Sequence, residues 1–139
     1  MTKLTRFGIS IPEDLLVEFD KLITKKGYPN RSEAIRDLIR EQVVEKEWKE
    51  ELEEVAGTIT LVYDHHVKGL TERLVAVQHD YHDMIMSTMH IHLDHDNCLE
   101  VLVVKGPAGK AQKMVENITT IKGVKHGKFT MTSTGKNIS

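Results

Sequence analysis

A single cysteine among 139 residues excludes an intrachain disulfide framework and suits a reducing compartment. The chain also lacks any apolar run long enough to cross a bilayer. Met1-Thr2-Lys3-Leu4-Thr5-Arg6 carries no signal-peptide pattern, so a soluble, cytoplasmic protein without a membrane partner is expected. Nor is there a large charge of one sign. At a formal net charge of −2, contact with nucleic acid cannot be a global polycation effect and has to be local. Internal repeats and low-complexity segments are absent. A chain of this length makes one domain or two small ones, and two small ones gain stability by oligomerising.

What is concentrated is imidazole, around the one thiol, between Gln78 and Glu100. Neither Gly nor Pro interrupts Asp83 to Leu93, and apolar residues alternate loosely with polar ones. The pattern predicts a strand leading into a turn at Asp94–Asn97. His90 and His92 then share one face of that strand. Leu99 to Val104 reads as the returning strand of a hairpin, with Cys98 at its start, beside the histidine pair. His95, three residues after His92, falls on the opposite face or in the turn and is a poorer ligand. A fourth donor has to come from another element, and His79 on the preceding helical stretch is the nearest good one. Two or three imidazoles with one thiolate suit Zn, Cu or Ni, whereas Mg and Ca prefer oxygen donors. A tetrahedral arrangement would mean zinc and a square-planar one Ni(II) or Cu(II).

Taken in order, the chain opens with an alternating stretch, Leu4 to Ile11, that places Phe7, Ile9 and Ile11 on one side and Arg6, Gly8 and Ser10 on the other. Pro12 suits the start of a helix whose apolar residues are Leu15, Leu16, Phe19, Leu22 and Ile23, and Gly27 ends it. Asn30 with Glu33 is a capping-box-like start for a second helix carrying Ala34, Ile35, Leu38, Ile39 and Val43. A lone strand before two helices leaves its backbone groups unpaired, and a second copy of the chain is the simplest partner. The resulting two-stranded ribbon would present Arg6, Gly8 and Ser10, and a ribbon of that width fits the DNA major groove. Free N–H groups near Asn30, Arg31 and Ser32 form a natural phosphate site. The charged run Glu41 to Glu54, with Trp48 as an interruption, reads as an exposed helix end and linker. Beyond Val55 the order becomes βαββαβ: a strand at Thr58–Tyr63, a helix bearing Leu70, Leu74, Val75 and Val77, the hairpin, a helix from about Ala108 to Ile121, and a strand near Gly123 to Thr132.

Arg6-Phe7-Gly8-Ile9-Ser10-Ile11 and Asn30-Arg31-Ser32-Glu33-Ala34-Ile35-Arg36-Asp37 resemble segments of the ribbon-helix-helix class. Together with Gln78-His79, His90-x-His92 and Asp94-His95-Asp96-x-Cys98-Leu99-Glu100, they make the chain resemble the nickel-responsive transcriptional regulators of the NikR family over nearly its whole length. The resemblance implies an α+β chain, with a ribbon-helix-helix (βαα) DNA-binding domain over residues 1–50 and a ferredoxin-like (ACT-like) metal-binding and tetramerisation domain over 51–139. It implies one Ni(2+) per chain in a square plane of His90, His92 and Cys98 from one chain and His79 from a neighbour across a tetramer interface. A second cation site, for K(+), is implied at Glu33 and Asp37. The implied partner is a near-palindromic double-stranded DNA operator bound by a homotetramer, a dimer of dimers repressing nickel-uptake genes. Gly8 has no side chain to hydrogen-bond a base, so an operator sequence does not carry over. The rival expectations are a metalloenzyme and a metal-independent small-molecule sensor. Four protein ligands would close the position catalysis needs, and no acid–base pair stands nearby, so no enzyme is expected.

Overall fold

The computed structural model describes residues 2–139. Its first regular element, α1 (Glu13–Lys25), follows Pro12, with Glu13 and Asp14 in the dipole-favoured first turn. The chain leaves α1 through Gly27, whose φ of +86° favours glycine. Asn30 then caps α2 (Arg31–Lys49), its side-chain oxygen accepting the Glu33 N–H at 2.9 Å.

Helix α2 runs through Lys49, within the stretch expected to be an exposed helix end and linker. Glu47 and Trp48 are buried there, because Val44 and Trp48, four residues apart, share the helix face that meets the core. An indole must bury a large apolar body and satisfy one N–H. Trp48 does both: its Nε1 donates to the Thr132 carbonyl at 2.8 Å, and its ring meets Phe129 edge-on at 5.0 Å. The last residues come back to the same helix. Ser133 and Asn137 donate to Glu47 Oε1, and Arg40 Nε donates to the Ser139 carbonyl.

Residues 2–12 form no helix or ladder within one chain, where the strand expected at Leu4 to Ile11 has a second copy as its partner. Phe7 and Ile9 are 72% and 65% exposed. A strand is defined by the backbone bonds of a neighbour, and no other segment of this chain supplies them. Below the segment lies a groove lined by Ile9, Ile11, Leu15, Phe19 and Leu38.

The rest is βαββαβ: β1 (Glu54–Asp64), α3 (Leu70–Asp80), β2 (Ile85–His92), β3 (Asn97–Pro107), α4 (Ala108–Thr119) and β4 (Val124–Thr132). The sheet order is β2-β3-β1-β4 with antiparallel neighbours throughout, which is the ferredoxin-like arrangement. Strand β1 lies in the middle and alternates in burial along its length. Val55, Ile59, Leu61 and Tyr63 face Leu70 and Leu74 of α3 and Ala111, Met114 and Ile118 of α4 in one core. Gly57 lets β4 approach, since a Cβ there would stand 2.6 Å from the Thr130 carbonyl oxygen. The opposite sheet face leaves Met89, Ile91 and Val103 exposed.

Candidate metal centre

Two register pairs build the centre. Cys98 stands opposite His92 of β2 and opposite Tyr63 of β1, so one residue of β3 is flanked on both sides near one end of the sheet. Directly opposed residues share a face. The β2–β3 turn is held by Asp94, whose Oδ1 accepts the N–H groups of Asp96 and Asn97 at 2.9 and 2.8 Å. The Asn97 amide adds contacts at 3.2 and 3.0 Å. These donors hold the Asp94 carboxyl down to about 2.

Past Asp64, the end of β1 meets that turn: the His65 N–H donates to the Asp96 carbonyl at 3.3 Å. This contact sets His65 over the thiol. His65 Nδ1 lies 3.2 Å and His92 Nδ1 3.4 Å from Cys98 Sγ. Donor atoms of His65, His92 and Cys98 all fall within 4.8 Å of one another. Cys98 is fully buried, while His92 stays exposed on the edge strand.

The expected residues are placed as follows. The hairpin brings His92 to Cys98. His90 lies beside His92, ring centroids 5.1 Å apart, and stacks with Tyr63 at 6.2 Å, but it is outside the three-donor group. His79 sits near the end of α3 with its ring stacked on His82 at 5.9 Å, also outside that group. Its neighbour Gln78 donates to Glu100 at 3.3 Å, directing the end of α3 toward the His90 row of β2 and β3. His95 contacts Asp96 in the turn and is outside that group. His65 was not among the expected ligands. The signal for it is the Asp64-His65-His66 run immediately after an alternating strand, which becomes informative only once β1 is known to pair with β3.

Electrostatics distinguish a bare site from a loaded one. Burial pushes the Cys98 thiol up, and the negative charges of Asp64, Glu100 and Asp94 push it further. Glu100 is raised by burial, against the opposing effects of the Gln78 hydrogen bond and His90. Tyr63, buried beside Glu100 and Cys98, is pushed up to about 12. Each of these anionic forms would be favoured by a cation at the thiol, as a bound divalent ion deprotonates a coordinating thiol outright. Imidazoles and a thiol are a donor set that fits a late transition metal.

At the other end of the molecule, Arg6, Gly8 and Ser10 are exposed, and nothing lies within 4 Å of a Cβ placed on Gly8. Asn30 is engaged as the α2 cap, Arg31 makes a two-pronged pair with Asp20 at 2.9 and 2.8 Å, and Ser32 is exposed. Glu33 contacts Arg36. Asp37 accepts from Tyr28 Oη at 2.7 Å and from Arg40 at 2.6 Å, and the tyrosine and arginine hold its carboxyl below the usual range. The two carboxylates therefore face arginines rather than one another.

Residues 56–132 match the family model described as the NikR C terminal nickel binding domain, and residues 5–46 match that of the ribbon-helix-helix protein, copG family. A Solibacter usitatus protein with the provisional name of nickel-responsive regulator is 56% identical over 135 residues, 97% of each chain. One of the same provisional name from Thermococcus onnurineus is 54% identical over 136 residues, 98% of this chain and 99% of that one. Among solved structures, an uncharacterized protein from Thermotoga maritima superposes with a TM-score of 0.52 at 15% identity. It covers 57% of this chain and 98% of its own, a likeness of fold alone.

Proposed function

The chain belongs to the NikR family, and from that premise we propose that it is a homotetrameric repressor of nickel uptake, loaded with one nickel ion per chain. It is a nickel-dependent DNA-binding regulator, with a ribbon-helix-helix domain for DNA and a ferredoxin-like domain for the metal. The observation that carries the reading is the convergence of imidazole and thiol donors on Cys98 at the sheet end nearest the β2–β3 turn. His90, His92 and Cys98 hold the ion from one chain, and His79 of a neighbouring chain completes the plane. The exposed row Met89, Ile91 and Val103, on β2 and β3 but on the face opposite His90 and His92, supports a second interface on the sheet.

The amino-terminal segment supports the first interface. Two copies pairing through Leu4–Ile11 would close the groove over Leu15, Phe19 and Leu38 and complete a ribbon exposing Arg6, Gly8 and Ser10. The α2 start at Asn30, Arg31 and Ser32 would lie on phosphates. Nickel held between chains fixes how two such heads are spaced, so its binding energy biases operator affinity through linkage. The operator is near-palindromic and the protein works in the cytoplasm, where that DNA is. A potassium ion at Glu33 and Asp37 is the feature the local geometry supports least, because it would have to compete with Arg36 and Arg40.

The test combines sedimentation with operator binding. A tetramer at micromolar concentration is expected, along with nickel-dependent affinity that collapses when half a helical turn is inserted between half-sites. A monomer, or indifference to the insertion, would overturn the two-headed arrangement.

A further inference from the structure

The two turns that meet at Cys98 also bring a second group of donors together, adjoining the first through the His65 and His66 rings. The His65 ring, whose Nδ1 lies 3.2 Å from Cys98 Sγ, has its centroid 4.0 Å from that of His66. His66 Nε2 lies 3.5 Å and His95 Nδ1 3.1 Å from the same Asp96 oxygen, Oδ1. The two imidazoles stack with centroids 5.4 Å apart and planes 29° from parallel. One donor atom from each of the three residues lies within 4.8 Å of the other two.

We propose that His66, His95 and Asp96 form a second transition-metal site, taking a divalent ion such as Ni(2+), Cu(2+) or Zn(2+). Two imidazole nitrogens and one carboxylate oxygen suit these ions, and the nitrogen content disfavours Mg(2+) and Ca(2+). The donors come from two segments that the backbone already fastens together. The His65 N–H reaches the Asp96 carbonyl at 3.3 Å, the His66 N–H reaches Asp64 Oδ1 at 2.8 Å, and the Asp96 N–H reaches Asp94 Oδ1 at 2.9 Å. An ion arriving there meets a nearly assembled set and orders little chain. The His66, His95 and Asp96 side chains are 50%, 89% and 60% exposed, so water fills the remaining coordination positions. With no thiolate, the site binds more weakly than the centre at Cys98 and gives no sulfur-to-metal absorption band. Such an ion would clamp the β1–α3 turn to the β2–β3 turn two residues from Cys98. The proposal does not depend on nickel occupying the Cys98 centre.

The experiment is equilibrium dialysis of the metal-free full-length protein against Ni(2+) alone, with the thiolate-to-nickel band recorded in parallel. A His66→Ala/His95→Ala double variant should hold one ion fewer per chain than the unsubstituted protein, with the thiolate band of equal intensity in both. Asp96→Asn, close in size, removes the oxygen donor independently and should weaken the same ion. Equal ion counts in all three proteins would overturn the site. A thiolate band lost in the double variant while its circular dichroism is unchanged would also overturn it, by assigning these histidines to the first centre. If the unsubstituted protein shows no thiolate band but the double variant still loses an ion, the second site stands and the reading of the first fails.

Discussion

His65 Nδ1 lies 3.2 Å from Cys98 Sγ, closer to the thiol than His92 of the facing strand at 3.4 Å. One chain thus offers an in-chain donor where the proposed nickel plane takes His79 from a neighbour. The two possibilities separate by mutation. With His79 as the fourth ligand, His79→Ala should weaken nickel binding by more than about 100-fold, beyond the roughly 10–100-fold typical of an outer-shell partner. His65→Ala should stay within about tenfold on the same scale. Competition titration against a chelator measures both, and the reverse order would give the fourth position to His65.

Cys98→Ser keeps the size of the side chain and removes the soft, ionisable sulfur. Nickel affinity should fall by at least about 100-fold, again exceeding a typical outer-shell loss, while the far-ultraviolet spectrum is retained. Loss of the sulfur-to-nickel band without loss of affinity would remove Cys98 from the principal ligands. Because the thiol is raised by burial and by Asp64, Glu100 and Asp94, metal uptake should release protons and weaken as pH falls. Chelator competition at two pH values checks this.

Asp94 links the turn to acid stability. Its folded value of about 2 lies below the unfolded value of roughly 3.9, so its stabilisation is present above pH 4 and disappears as pH falls toward 2. Asp94→Ala should lower the urea midpoint at pH 7, and the gap to the unsubstituted protein should narrow by pH 3. A gap independent of pH would mean that the turn bonds contribute through shape rather than charge.

Trp48 ties the end of α2 to β4. Trp48→Ala removes the ring packed on Phe129 and the hydrogen bond to Thr132, and should cost about 3–5 kcal/mol. Trp48→Phe should recover part of that, leaving the Thr132 carbonyl without its indole donor. Denaturant unfolding of both variants provides the comparison.

These sites differ in how far the sequence alone reveals them. The hairpin was legible because alternation on both sides of Asp94–Asn97 fixes its register locally, and register puts His92 opposite Cys98. His65 was not, because its approach to Cys98 depends on the pairing of β1 with β3, a contact across 33 positions that no local pattern encodes. The burial of Trp48 is hidden for the opposite reason. Its charged neighbours dominate any window average, whereas burial is decided by the single face it shares with Val44. At Leu4–Ile11 the alternation is plain, yet one chain lacks the neighbour that would make it a strand.

If metal at Cys98 controls DNA binding by the amino-terminal domain, removing a ligand should uncouple nickel from operator affinity. Fluorescence anisotropy of a labelled operator, titrated with the unsubstituted protein and with His92→Ala in the presence and absence of nickel, tests it most directly. Tight, nickel-dependent binding is expected of the former, and for His92→Ala only weak, salt-sensitive binding that nickel does not change, since phosphate contacts belong to the amino-terminal domain. Equal nickel-induced tightening in both proteins would contradict it.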